Sequence, residues 1–409
     1  MTRRDRRLRK VVTALVAWSA LAGAALAGAA PADGVPRARA IAPGVEYSEF
    51  DLSASHGVAR AHLLSVDLRN RNVRVDLLYP GAVAARATVS RLADARHALA
   101  GINGDFFNIS ETQHPGVEAT GSAVGPAVAN GHALKAAVPP GQRFGPALPP
   151  GTTTEDVLGV GTDRTARLDR LALAGTVSTA RERLALRGLN QYALPQGSIG
   201  AYTAEWGAAS RLRAVCGTDT DRGAPCSPDT YEVTIRDGRV AATAGTPGTG
   251  AIAAGTTVLV GREAGAQALR HLVKGEAVAV GSRLVAASSG VPYVFAVGGF
   301  PVLRHGAPLS GLDNATSAVR TAVGIGDGGH RLLLLALDGA SAYRTGLTVA
   351  ELASALRTMG ATDGVDLDGG GSSTLVSRGP GASTVTVRNH PSGGAERPVP
   401  EGIGVFASS

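Results

Sequence analysis

The chain has 409 residues, 44 % of them hydrophobic and only 18 % charged, with 55 glycines and a formal net charge of +7. This composition excludes a coiled coil and a disordered chain, and the length allows about two to three domains. The charge gives nucleic-acid binding little support: residues 1–10, MTRRDRRLRK, hold net +5 of it, leaving +2 for the remainder, with no basic stripe interleaved with aromatics. Lysine occurs only at Lys10, Lys135 and Lys274 among abundant Arg, Ala and Gly, so the arginine content reads as coding bias and a lone exposed Arg carries little meaning.

In chain order, the basic start runs into VVTALVAWSALAGAALAGAA (11–30). A basic head, an apolar stretch and small residues at its end match a secretory signal peptide over 1–30. An uncleaved membrane anchor is the alternative for such a run. The terminal small residues and Pro31 favour cleavage, hence a secreted or cell-envelope protein with no stable span afterwards. The pairs Arg3-Arg4 and Arg6-Arg7 permit a twin-arginine route without establishing it. Residues 31–55 read as a linker and first strand.

Period-two patterning predicts strands over 59–68 and 73–80, separated by the turn RNRN. TVSRLADARHALAG (88–101) predicts a helix with Val89, Leu92, Ala93 and Leu99 on one face and Gly101 just past its end. INGDFFN (102–108) follows, then a Gly- and Pro-rich stretch to 150. Short apolar runs split by Gly and Asp make 150–290 a candidate inserted β-rich subdomain, with an Asp237-Gly238 hairpin turn. Cys216 and Cys226 are the only cysteines. In an exported chain they read as a structural disulfide, two free buried thiols being the alternative.

Residues 292–306 and 330–339 carry strong strand signals. TVAELASALRTMG (348–360) predicts a helix opened by a Thr348/Glu351 capping box and closed by Gly360. Next comes VDLDGGGSSTLV (365–376). On a strand, Val365 and Leu367 face the core while Asp366 and Asp368 share the other face. Two carboxylates this close resist joint ionisation, which suits an acid/base pair or a cation site. Gly369, Gly370 and Gly371 bare the backbone, and Ser372 and Ser373 add donors, so an anion nest is expected beside the acids. Arg320, next to Thr321, offers a planar fork for phosphate oxygens. A helix, a glycine, a strand and an Asp recur at 88–105 and 348–369. This is either ordinary αβ punctuation or two related units that bring Asp105 and Asp366/Asp368 to one rim. The whole reads as an α+β fold of mixed sheets with few helices.

INGDFFN, AVGGFPVLRHG, VRTAVGIGDGGHRLLLLALDG, the 346–376 stretch and RNHPSGGAERPVPEGIGVF together resemble the phosphodiester glycosidase domain family over residues 56–407. The resemblance implies hydrolysis of a sugar phosphodiester, or of a cell-envelope glycopolymer containing one, at the glycosidic bond. It implies substrate-binding roles for Asn103, Gly104, Arg320, Thr321 and the run Gly369–Ser373, and catalytic roles for Asp105, Asp338, Asp366 and Asp368. One departure is Ser392-Gly393-Gly394, where family members often carry Ser-Asp-Gly. No cofactor is firmly implied; a divalent cation at the acids is a variant of the same chemistry. The rivals are a non-catalytic carbohydrate-binding protein on the same scaffold and a phosphodiesterase cutting P–O. A Ser-His-Asp hydrolase fits poorly, because no Gly-x-Ser-x-Gly elbow occurs at the motif.

Overall fold

The computed structural model describes residues 38–408, so the leader-like segment 1–30 and residues 31–37 of the expected linker lie outside the described residues. Strands dominate, with three α-helices among the described residues, Val89–Ala95, Ala264–Leu269 and Val349–Thr358. The α+β class of mixed sheets with few helices is the observed one. No helix of the described residues is long and apolar enough to cross a membrane.

The largest sheet has eight strands in the order Arg39–Ala42, Val45–Ala54, Gly57–Asp67, Arg331–Leu337, Thr321–Gly326, Ala361–Leu367, Phe300–Arg304 and Ala307–Pro308. Every neighbouring pair is antiparallel. The ends of Arg331–Leu337 and Ala361–Leu367 therefore meet the start of Thr321–Gly326 at one edge, with Thr321 opposite both Ala336 and Leu367. The strand Phe300–Arg304 begins there too, Phe300 opposite Asp366.

Alternation gives this sheet two apolar faces. On one, Val323, Ile325, Leu332, Leu334, Val365 and Leu367 join the main core. On the other, Ala322, Leu333, Leu335 and Ala361 receive Val349, Leu352, Ala353 and Leu356 of the long helix. Gly324 and Gly364 let that helix lie close, since a Cβ on Gly364 would stand 2.8 Å from the Leu356 side chain. The expected capping box is present: the Thr348 hydroxyl accepts the Glu351 amide at 3.2 Å, and Glu351 accepts the Thr348 amide at 2.8 Å. Glu351 also accepts the Ser55 amide at 2.7 Å, which ties the helix to the Val45–Asp67 hairpin.

A five-stranded sheet, Val385–Val387, Leu375–Arg378, Ala100–Asn103, Gly402–Ala407 and Val73–Leu78, carries the second half of the site. The RNRN turn thus passes the chain from one sheet to another and closes no hairpin. The first helix is shorter than the sequence predicts. It stops at Ala95 because His97 takes a left-handed φ of 53°, and Leu99 and Gly101 belong to the approach and body of the next strand.

The middle section is β-rich. Its strands Asp156–Gly161 and Ala166–Ser178 lie in a sheet with Tyr293–Gly298 and Ala127–Ala129, so it shares a sheet with the chain on both sides of it. The Asp237-Gly238 turn joins Thr230–Arg236 to Arg239–Ala244 with positive φ at both residues, as the hairpin signal requires. Cys216 and Cys226 are disulfide-bonded. Beside them, fully buried Arg213 bonds Glu111, Gln142 and the Cys216 carbonyl. Glu111 also holds His114 and Asn108, so one polar network pins the loop after Asp105 to the disulfide loop.

Replacing Arg213 with Met should destabilise the protein by about 3–5 kcal/mol, because Glu111 would stay buried without its counter-charge. Adding Glu111→Gln should recover part of that loss. Urea unfolding of the two variants checks both statements.

Candidate functional site

Asp366 sits at the end of Ala361–Leu367, opposite Ala322, on the face turned from the main core. It is fully buried, and neither carboxylate oxygen has a hydrogen-bond partner. It pairs with Arg320, Nη1 lying 3.7 Å from Oδ2. Burial pushes the Asp366 carboxyl up to about 7; Arg320 opposes the rise and Asp368 adds to it.

Asp368 follows just beyond the strand end and is only half-buried, like Gly369, Gly370 and Gly371 after it. Burial pushes its carboxyl up to about 6, against the Ser372 hydroxyl and the Arg397 charge, while nearby Asp105 adds to the rise. Asp105 is buried, with Oδ1 accepting the Phe106 amide at 2.8 Å and Oδ2 accepting the Gly125 amide at 2.6 Å. Burial still pushes it up to about 6. Gly298 has no room for a Cβ because Asp105 Oδ2 lies there.

Asp105 and Asp368 reach one rim because their backbones are stitched together. Asn103 Nδ2 donates to the Asp368 carbonyl at 2.6 Å, and the Asp368 amide donates to the Gly104 carbonyl at 3.1 Å. Asn103 Oδ1 accepts the Thr374 amide at 3.0 Å and the Thr321 hydroxyl at 3.1 Å. Thr321 Oγ1 also pairs with Ser373 Oγ at 2.9 Å. Asn103, Thr321 and Ser373 are fully buried, and their side chains join strand ends. Gly104 is equally enclosed, its amide donating to the Glu401 carbonyl at 2.9 Å.

The glycine run differs from the expected open nest. The Gly370 amide donates to the Val319 carbonyl, Ser372 to Gly369 and Ser373 to Gly370, so three of the five amides of this run are taken up within the protein. The glycines serve close approach instead. A Cβ on Gly369 would lie 2.5 Å from the Val319 carbonyl oxygen, and one on Gly371 would strike the Arg397 guanidinium. Arg320 is also less free than its position suggests. It is buried, with Nε on the Leu347 carbonyl at 3.1 Å and Nη2 on the Thr316 carbonyl at 3.0 Å.

Sequence reasoning missed four groups here. Arg397 is half-exposed, and its Nη1 reaches Ser372 Oγ at 3.3 Å. Glu401 and Lys135 are buried behind Asp105; burial pushes the Glu401 carboxyl up and the Lys135 ammonium down. Lys135 Nζ donates to the carbonyls of Val124, Gly125 and Ala136, whereas Glu401 Oε1 has no partner. His390 bonds Asp338, which ends the neighbouring strand Arg331–Leu337. No periodicity marks these residues, since each acts from a loop or lies among apolar neighbours. Among the described residues, no group of three or more His, Cys, Asp or Glu is placed to hold a metal ion.

The family model described as phosphodiester glycosidase matches residues 229–406. That stretch is similar to the phosphodiester glycosidase domain. It contains Arg320, Asp338, Asp366, Asp368, His390, Arg397 and Glu401, while Asn103, Asp105 and Lys135 come from outside the matched stretch. No curated protein matches the chain. Among solved structures, a hypothetical protein from Synechocystis is 18 % identical with a TM-score of 0.69, over 92 % of this chain and 64 % of that one. This chain therefore spans less than two thirds of that relative's length. A Burkholderia pseudomallei protein described as exported is 24 % identical with a TM-score of 0.64, over 87 % of this chain and 76 % of that one. The catalytic domain of zebrafish N-acetylglucosamine-1-phosphodiester alpha-N-acetylglucosaminidase, auto-inhibited by its pro-peptide, is 16 % identical with a TM-score of 0.44, over 90 % of this chain and 85 % of that one.

The raised carboxyls of this site make stability depend on pH. Asp366, Asp368 and Asp105 hold protons in the folded state at pH values where the unfolded chain, near its usual 3.8, has lost them. Stability should therefore fall as pH rises from about 4 to about 7, then level off. Asp366→Asn should flatten that slope and make the variant as stable as the parent, or more so, at pH 8. Urea midpoints of both proteins across pH 4.5–8 would show it, and an unchanged slope would count against the assignment.

Proposed function

We propose that this protein hydrolyses the C1–O bond of a sugar-1-phosphodiester, releasing free sugar and a phosphomonoester. The observation that carries the reading is the meeting of Asp366 and Asp368, both with raised carboxyls, with Arg320 and Arg397 at the glycine turn of a stretch similar to the phosphodiester glycosidase domain. Cleavage at a sugar C1 passes through an oxocarbenium-like state that carboxylates stabilise. The departing phosphate is anionic and needs fixed positive charge.

The roles divide by accessibility. Asp368, half-buried just beyond the strand end, takes the proton of the attacking water. Asp366, buried behind it, has its own carboxyl raised by the Asp368 charge, and Arg320 opposes that rise. Arg397, half-exposed with one polar contact, holds the phosphate. Asp105 fixes the rim on which the sugar rests. The disulfide suits an oxidising compartment, which supports reading the chain as exported to the medium or the cell envelope. A cell-envelope glycopolymer with sugar-1-phosphate links fits that location.

A panel of sugar-1-phosphodiesters scored for free sugar and phosphomonoester tests the reading. In heavy-oxygen water the label should enter the sugar; label in the phosphate would mean P–O cleavage, and binding without turnover a carbohydrate-binding protein. On a cleaved panel member, Asp368→Asn should lower kcat by about 10²–10⁴-fold, and Arg397→Met should lower kcat/KM by about 10²–10³-fold. Full activity in Asp368→Asn would refute the division of roles.

A further inference from the structure

We infer that His390 is the proton-donating group of this reaction, oriented by Asp338 so that its Nε2 is left for the departing phosphate. The inference rests on the functional reading above and adds a residue to it. Four side chains form a hydrogen-bonded line at the same sheet edge. The Tyr47 hydroxyl meets His62 Nδ1 at 2.8 Å, His62 Nε2 meets Asp338 Oδ2 at 3.4 Å, and His390 Nδ1 meets the same oxygen at 2.8 Å. Asp338 Oδ1 accepts the Ala340 amide at 2.7 Å, and Oδ2 also accepts the His390 amide at 3.3 Å.

The protons along this line are fixed by chemistry. Burial raises Asp338, but His390, the Ala340 amide and His62 outweigh it, so the carboxyl is held below its usual value and stays an acceptor. Burial lowers His62, which is therefore neutral, and pushes Tyr47 up to about 12, which keeps its hydroxyl proton. Tyr47 must donate to His62 Nδ1, His62 must donate from Nε2, and His390 must donate from Nδ1. His62 and Asp338 are almost wholly enclosed, whereas the His390 side chain is 76 % exposed. Among the described residues, His390 Nε2 has no partner. A buried carboxylate that fixes the tautomer of an exposed imidazole is the arrangement proton transfer needs.

The segment also lies against the glycine turn. Asn389 Nδ2 donates to the Leu337 carbonyl at 3.2 Å and the Ser373 carbonyl at 2.8 Å. The Gly339 amide donates to the His390 carbonyl at 2.7 Å, and Ser392 Oγ donates to the Gly370 carbonyl at 3.1 Å. In the step proposed, the C1–O bond breaks and its electron pair goes to the phosphate oxygen. His390 Nε2 passes its proton to that oxygen, water bonds to C1, and the water proton goes to Asp368. Solvent then returns both groups to their starting states.

The charges around His390 favour its protonated form. The Asp338 hydrogen bond and charge raise it, and Glu49 on the Val45–Ala54 strand adds to this. Arg388 is engaged with Ser377 and stands over the Tyr47 ring, Arg60 is tied to Asp51 and Glu49, and Arg344 bonds the Gly339 carbonyl.

The test uses the whole protein and a panel member that the parent cleaves. His390→Ala should lower kcat/KM by about 10²–10⁴-fold and regain rate with added imidazole. The parent should lose activity as pH rises through the His390 titration, and the variant should lack that limb. Nitrogen-15 spectra should place the neutral-state proton of His390 on Nδ1 and that of His62 on Nε2, and Asp338→Asn should shift the His390 tautomer. Full activity with the same alkaline limb in His390→Ala, or a His390 proton settled on Nε2, overturns this inference while leaving the hydrolase reading standing. A parent that cleaves no panel member overturns both.

Discussion

A carboxyl group with both oxygens buried and no donor in reach costs several kcal/mol if it ionises, and folding must carry that cost. Asp366 is in this position, with only the Arg320 guanidinium 3.7 Å away to offset it. A well-packed sheet has no need of such a residue; an apolar side chain opposite Ala322 would be more stable there. The acid remains neutral through much of the pH range because burial lifts it to about 7. Its neighbours follow the same logic. Asp368 and Asp105 are raised by burial, Asp368 also by the Asp105 charge, and Glu401 adds a further buried carboxyl beside Lys135. Natural folds break the rules of polar satisfaction mainly where chemistry demands it. The density of raised acids at one sheet edge is thus the constraint around which this edge is built.

Holding those acids together takes exact joinery, and most of it is backbone. Asn103 joins the Asp368 carbonyl, the Thr374 amide and the Thr321 hydroxyl, and so binds three separate chain segments at one point. The Gly369–Ser373 turn then folds back on itself against Val319. Without Cβ atoms at Gly369 and Gly371, the Val319 carbonyl and the Arg397 guanidinium can both close in. Residues that look like ligand donors in the sequence therefore act as rivets, and the accessible polar surface falls to Asp368, Arg397 and His390.

The sequence made much of this fold legible. Alternation in HRLLLLALDG and GVDLDG marks strands because side chains on a pleated sheet have a strict period of two, and TVAELASALRTMG announces its helix through its cap and its apolar face. The acids were legible as well, since two Asp residues followed by three glycines have few structural excuses. Three things were not. The first helix lost its last turn at His97, where local backbone conformation overrode periodicity. The glycine amides were expected to face a ligand, but which carbonyl an amide meets depends on Val319, a residue distant in the chain. Lys135 and Glu401 are charged residues among apolar neighbours, and no pattern distinguishes a buried charge from an exposed one until the core is assembled around it.

The two sets of acids at this edge are pushed in opposite directions, and the direction follows from the donors each can find. Asp366 finds only a guanidinium at long range and rises. Asp338 finds two imidazoles and two amides and falls. Chemistry that moves protons at neutral pH needs groups of both kinds, one that releases a proton readily and one that keeps its charge to steer a neighbour. An antiparallel sheet delivers them side by side. Ala361–Leu367 and Arg331–Leu337 both flank Thr321–Gly326 and both run toward the same edge, so Asp368 and Asp338 emerge together whatever loops follow. The loops then set the difference: a bare glycine turn leaves Asp368 with few donors, and the His390 segment supplies Asp338 with several. Strand order thus fixes where the acids stand, and the loop after each strand fixes what each acid can do.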